Sequence, residues 1–282
     1  MKVLVTGANG QLGYDVVKLL NNSKYAVFPF DRMQMDITNE GIVQQTVEDI
    51  KPDVIIHCAA YTNVDGAEKD EVTAYQVNAL GTKNIAKAAE SVDAKLVYVS
   101  TDYVFDGVAN RPYEVDDLTN PLNNYGKTKL AGEKFVKEIL DKYFIVRTAW
   151  VFGINGNNFV KTMLRLGKEN GEVRVVSDQI GSPTYTVDLA EILVEMINTD
   201  KYGIYHVTNS GECSWYEFAT EIFKQAGLDV KVHPITTDQY ETLAKRPLYS
   251  VLSKNNLLKN GFTIPRNWRL ALKDYLEKLE AI

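Results

Sequence analysis

Thr6-Gly7-Ala8-Asn9-Gly10-Gln11-Leu12-Gly13 places three glycines at G-x-x-G-x-x-G spacing between a β-branched run, Lys2 to Thr6, and a segment, Gln11 to Leu20, with helical periodicity. Gly7 permits a tight turn, Gly10 lets the backbone approach a pyrophosphate, and Gly13 lets the helix pack closely on the strand. The helix that follows offers free N–H groups and a partial positive charge to phosphates. The strand and helix on either side give the motif a weight that glycines alone would lack.

Further along, the alternation repeats. Tyr25 to Phe30, Val54 to His57, Leu96 to Ser100 and Phe144 to Thr148 read as strands, and Asn39 to Ile50, Glu71 to Ser91 and Tyr125 to Leu140 read as helices between them. Repeated βα units predict an α/β fold with a Rossmann-like, doubly wound parallel sheet. After Trp150 the rhythm changes. Asn155-Gly156-Asn157-Asn158 opens a helix through Arg165, and Gly181-Ser182-Pro183-Thr184 is a turn before a helix from Val187 to Ile197. Gly203 to Thr208 reads as a strand, Trp215 to Ala226 as a helix capped by Ser214, and Trp268 to Leu279 as a last helix. Residues 1–150 are expected to form the dinucleotide-binding Rossmann domain. Residues 151–282 should be mainly a smaller α/β substrate lobe, with 185–208 returning to the first domain.

Composition narrows the function. A chain of 282 residues with 45% hydrophobic and 24% charged content matches ordinary globular proteins, and no apolar run is long enough to span a bilayer, so no membrane partner is expected. The chain enters its first strand at once, with no pattern of a secretion signal, so a cytoplasmic location is expected. Net charge is −6 without a Lys/Arg block, which argues against nucleic acid as a partner. Cys58 and Cys213 have neither disulfide-framework nor metal-ligand spacing and read as packed thiols.

Asp31, after the second strand, stands where a carboxylate accepts hydrogen bonds from the adenosine ribose, which favours NADH. Arg32 beside it can meet a 2′-phosphate, so NADPH stays equally open. Asp36-Ile37 on the next loop either contacts adenine or is an acidic residue leading into the following helix. In Tyr125-Gly126-Lys127-Thr128-Lys129 a phenol and an ammonium share one helix face. An adjacent ammonium stabilises phenolate and should bring the tyrosine toward working pH, making Tyr125 a proton donor tuned by Lys129. Lys129 can also hold the nicotinamide ribose. Thr101, where a strand leaves the sheet, either binds a substrate carbonyl oxygen or is a turn hydroxyl.

With these residues in hand, the chain resembles the extended short-chain dehydrogenase/reductase family over nearly its whole length. The glycine and Tyr/Lys motifs mark the superfamily; Ser100 to Gly107, Arg147-Thr148-Ala149-Trp150, His57 to Asp65, Val77-Asn78 and Gly181 to Thr184 are narrower. The resemblance implies NADPH- or NADH-dependent reduction of the 4-keto group of dTDP-4-dehydro-L-rhamnose to dTDP-L-rhamnose, a step toward cell-surface polysaccharide. It implies that Gly10, Gln11, Leu12, Asp31, Asp36, Ile37, Ala59, Ala60, Tyr61 and Asn78 line the dinucleotide. Thr101, Asp102, Tyr103 and Trp150 would meet the sugar, and Asn158 and Arg246 the nucleotide diphosphate, though Arg246 is equally read as a surface ion pair. Some relatives hold Mg²⁺ at a dimer interface, and Asp15 matches such a position; as a solvated charge on an exposed helix it would hold none. A homodimer is possible on the same ground. Sister 4,6-dehydratases carry Asp-Glu after the threonine, where this chain has Asp102-Tyr103, and a phenol cannot serve as a carboxylate base at neutral pH. The alternatives are another nucleotide-sugar reductase, a 4-epimerase, or a non-catalytic NADP-binding regulatory subunit like that of methionine adenosyltransferase.

Overall fold

The computed structural model describes residues 1–280. The first half runs β1 (Lys2–Thr6), α1 (Gln11–Asn21), β2 (Ala26–Phe30), α2 (Glu40–Ile50), β3 (Val54–His57), α3 (Val64–Lys69), α4 (Glu71–Tyr75), α5 (Thr82–Ser91), β4 (Lys95–Thr101), α6 (Asn124–Ile139) and β5 (Tyr143–Thr148). The second half holds β6 (Val151–Phe152), α7 (Phe159–Asn170), β7 (Glu172–Val176), β8 (Ile180–Gly181), β9 (Thr184–Tyr185), α8 (Thr186–Ile197) and β10 (Gly203–His206). It ends with β11 (Cys213–Ser214), α9 (Trp215–Gln225), β12 (Lys231–Ile235), α10 (Asn255–Lys259) and α11 (Trp268–Glu280).

Six parallel strands form the main sheet in the order β10-β5-β4-β3-β1-β2. Chain order reverses between β1 and β3, which opens a crevice at their carboxyl ends, where doubly wound sheets take their ligands. Pro29 lies in β2, the edge strand, where a missing N–H costs least. One sheet face is covered by Leu12, Val16 and Leu20 of α1 with Leu189, Leu193 and Met196 of α8. The other packs on Val43 and Val47 of α2, Ile85 and Ala89 of α5, and Val136 of α6. Strands β3, β4 and β5 are buried on both faces, as their near-continuous apolar runs require. A second, aromatic-rich core gathers Phe152, Tyr185, Phe218, Trp268 and Tyr275.

Three departures from the sequence reading have physical causes. Glu71 to Ser91 is not one α-helix, because residues Gln76–Gly81 form a π-turn. The widened turn carries Asn78, whose side chain bonds both the N–H and the C=O of Tyr61. The expected helix through Arg165 runs on to Asn170, where Gly171 at φ +70° ends it, and Asn158 is its N-cap. Strands β7 and β12 pair in parallel although 54 residues separate Val176 from Lys231, a pairing that local pattern cannot reveal.

Candidate active site

A cleft of 980 Å³ opens along the carboxyl ends of β1, β3, β4 and β5. At one end lies the glycine turn. Gly7 has φ +65°, and a Cβ on Gly13 would collide with the Gly7 carbonyl, so both positions exclude larger residues. Gly10 caps α1 without a side chain, and the first turn carries no acidic residue. The amides there are therefore available to an anion. Gln11 and Leu12 join the wall, and Asp31, Arg32, Asp36 and Ile37 line the cleft next to β2. These features fit a dinucleotide: bare amides for the phosphates, an acidic and a basic side chain side by side for the ribose end.

The Asp31 carboxylate is already engaged, accepting from Asn9 Nδ2 at 2.7 Å and from the N–H groups of Met33 and Gln34 at 2.9 and 3.0 Å. Arg32 is exposed and, among the described residues, has no hydrogen bond or ion pair. Asp36 accepts from the N–H and hydroxyl of Thr38, which with Arg32 holds its carboxyl below the usual range. Past β3, Ala59, Ala60 and Tyr61 form the facing wall. Asn78 does not reach the cleft. It is buried behind Tyr61, bonded to that backbone and to Thr128.

The floor is built by the end of β4 and the first turns of α6. Asn123 caps α6 by accepting from Gly126 N–H at 2.8 Å, which fixes Tyr125 and Lys129 at the cleft. Lys129 is 2% exposed. Its Nζ donates to the Val99 carbonyl at 2.7 Å and lies 4.2 Å from the centre of the Tyr98 ring. Burial pulls this amine down to about 7, against the pull of Glu133. Burial also pushes the Tyr125 phenol up to about 12, with the Thr101 hydroxyl partly offsetting it and Asp102 adding to it. The expectation that the ammonium brings Tyr125 toward neutrality is thus corrected for the free protein: desolvation wins, and the phenol is protonated.

Thr101 donates to Asp102 Oδ1 at 3.0 Å and accepts from Tyr103 N–H at 3.2 Å. Burial lifts the Asp102 carboxyl to about 6, with Ser250 and Thr101 opposing, and its buried Oδ2 has no hydrogen-bond partner among the described residues. Tyr103 packs edge-on against Tyr125, ring centres 5.9 Å apart. Trp150 has φ +48°, an unusual backbone for a side chain of its size, and its ring stacks on Trp215 at 3.6 Å and 10°. Trp215 lines the cleft too and had no motif to announce it; an aromatic residue directly after the Ser214 cap was the available signal.

Three sequence expectations land elsewhere. Asn158 borders the cleft, but its amide is committed to Gln11, to the Gly153 carbonyl and to capping α7. Arg246 is outside the cleft wall and pairs with Asp65 at 2.8 Å, the ion-pair reading. Asp15 is not on an exposed face: it is 6% exposed and accepts from the Thr186 hydroxyl, and burial raises its carboxyl. Among the described residues no three His, Cys, Asp or Glu side chains are placed to hold a metal ion. Nor is any helix there long and apolar enough to cross a membrane.

The parallel sheet, its switch point and the glycine turn define a Rossmann-type α/β protein. The model of one family, the RmlD substrate binding domain, matches residues 1–281, and the chain belongs to that family. A dTDP-4-dehydrorhamnose reductase of Aggregatibacter actinomycetemcomitans is 44% identical, with 97% of each chain covered. A solved dTDP-4-dehydrorhamnose reductase of Clostridium acetobutylicum is 51% identical with a TM-score of 0.98, covering 99% of this chain and 100% of its own. One of Bacillus anthracis, solved in complex with NADP, is also 51% identical, with a TM-score of 0.96 and coverage of 98% and 99%.

Proposed function

We propose that this protein reduces the 4-keto group of dTDP-4-dehydro-L-rhamnose to dTDP-L-rhamnose with NADPH, as a cytoplasmic step of dTDP-rhamnose biosynthesis. The observation that carries the reading is one cleft holding both an uncapped, glycine-lined helix start and a half-buried, protonated phenol four residues from a buried lysine. Full-length similarity to reductases of that name supports the substrate. The neighbour with NADP supports the cofactor, as does Arg32, an exposed guanidinium placed to meet a 2′-phosphate while the Asp31 carboxylate is engaged by Asn9 of the glycine turn and by its own loop.

Reduced nicotinamide, when bound, supplies the hydride that turns C4 from ketone to alcohol. The chain's residues manage the proton. Tyr125 enters the reaction as a phenol and donates its proton to the carbonyl oxygen as negative charge builds there. Lys129, held to Val99 O, offers positive charge to the phenolate left behind. The Thr101 hydroxyl, now given to Asp102, turns to the same carbonyl oxygen and helps orient it. Trp150 on Trp215 is a flat apolar wall for the sugar or base. Tyr103 cannot serve as a carboxylate base, and burial makes its phenol harder still to ionise, which disfavours dehydration across C5 and C6.

The test is to add NADPH and dTDP-4-dehydro-L-rhamnose to the purified protein and follow absorbance of the reduced cofactor. Sugar-dependent loss is expected. No oxidation, with NADPH binding intact, would leave a non-catalytic binding protein.

A further inference from the structure

Beyond the cleft, α6 continues its Tyr125–Lys129 face to Glu133, one helical turn further in, and Glu133 is 2% exposed. A carboxylate so deep needs partners, and it has three bonds. Arg147 of β5, itself 3% exposed, donates from Nε at 2.9 Å and from a terminal nitrogen at 2.8 Å, and Ser100 of β4 donates its hydroxyl at 2.6 Å. The remaining Arg147 nitrogen reaches the Val115 carbonyl, and its guanidinium lies 5.1 Å from the centre of the Phe105 ring. None of these groups lines the nicotinamide end of the cleft except Ser100.

The bonds form a ladder between α6 and β4. Tyr98 Oη donates to the Lys129 carbonyl at 3.1 Å, Lys129 Nζ donates to Val99, and Ser100 donates to Glu133. Thr101 is the next residue of the strand. The ladder therefore fixes how far along β4 the Tyr125–Lys129 face sits, and with it the spacing between Tyr125 and Thr101.

Glu133 also decides the charge around Lys129. Tyr125 shares the helix face of that amine, and the titratable groups that act on it are Glu133 on α6, Tyr98 on β4, and His57 and Cys58 at the end of β3. His57 is kept neutral by burial, and the Cys58 thiol and Tyr98 phenol are kept protonated by it. Glu133 is the carboxylate of the set. Arg147 touches Glu133 and makes no contact with Lys129.

We propose that Glu133 is a positioning residue for the reduction: pinned by Arg147 and Ser100, it keeps Lys129 charged and holds the Tyr125–Lys129 face in register with Thr101. The proposal rests on the reductase reading above. Removing the carboxylate takes away the largest charge that opposes the desolvation of the amine, so Lys129 gives up its proton at lower pH.

The test compares Glu133→Gln, Glu133→Asp and the double variant Glu133→Met/Arg147→Met, in which paired charges are replaced by apolar volume and the fold is kept. Two readouts are taken across pH. One is kcat/KM for NADPH; the other is the titration of the Lys129 side chain by NMR with ¹³Cε-labelled lysine, assigned by the signal lost in Lys129→Met. Glu133→Gln and the double variant are expected to move both midpoints down by about one pH unit, so that activity above the midpoint falls about tenfold. Glu133→Asp should restore much of the shift. A merely structural Glu133 would leave both midpoints in place in every variant that folds, and that result overturns the proposal. Should the wild type fail to oxidise NADPH, the reductase reading fails separately, and the NMR titration still decides whether Glu133 governs Lys129.

Discussion

Removing one oxygen atom, in Tyr125→Phe, isolates the proposed proton donor. The ring's edge-on packing with Tyr103 survives, and Lys129 keeps its bond to Val99, so the cofactor site is left as it was. The phenol sits at about 12, which makes ionising it unaided at pH 7 cost about 7 kcal/mol by the usual conversion of a pKa difference. It therefore releases its proton only to a strong base, and the alkoxide forming at C4 as hydride arrives is one. Without the phenol, water must supply the proton. General acid catalysis is worth about 10²- to 10⁴-fold, so kcat should fall by about three orders of magnitude, equivalent to about 4 kcal/mol. NADPH affinity, measured by fluorescence titration, should change by less than about threefold, because only a transition-state contact is lost. If kcat stays within tenfold of wild type, another group is the acid and the assignment is wrong.

Other expectations follow from the same geometry. Lys129 must be a cation, and its amine is pulled down to about 7, so the charged fraction shrinks as pH rises through that value; kcat/KM for NADPH should fall on the alkaline side, and a flat profile to pH 9 would contradict the role. Lys129→Met should abolish most turnover yet be as stable as wild type or more so near pH 6, since the folded state there carries a desolvated ammonium that the unfolded chain does not; a loss above about 2 kcal/mol in urea denaturation would refute this. Arg32→Ala should weaken NADPH about 10- to 100-fold with little effect on NADH, the span of one hydrogen bond to a charged group, and equal losses would remove Arg32 from the 2′-phosphate. Trp150→Ala should raise KM for the sugar nucleotide and leave KM for NADPH alone, while an unchanged sugar KM would make the Trp150–Trp215 stack core packing only.

The fold was legible where chemistry is local. The glycine turn and the β-branched runs declared β1, β3, β4 and β5 and the parallel sheet because buried strands and helix periodicity leave their mark within ten residues. The π-turn at Asn78 and the pairing of β7 with β12 depend on partners distant in the chain, and no window of sequence holds both halves. The site divides the same way. Tyr125 and Lys129 are four apart on one helix and could be paired by counting. Glu133 and Arg147 meet only because α6 lies against β4 and β5, so their pairing was invisible, and Arg246 and Asp15 were singled out by the family resemblance before burial and partners could be known. The protonation of Tyr125 was misjudged for one reason. Sequence shows the neighbouring charge and hides the loss of water, and burial is the larger effect.

Hydride delivery into the sugar can be watched directly by incubating the protein with dTDP-4-dehydro-L-rhamnose and NADPH deuterated at nicotinamide C4, then reading the product by NMR. The account predicts one NADPH consumed per sugar and deuterium at C4 of dTDP-L-rhamnose. Unchanged keto-sugar, or a product whose C4 carries no deuterium when the transferring face is labelled, would contradict it.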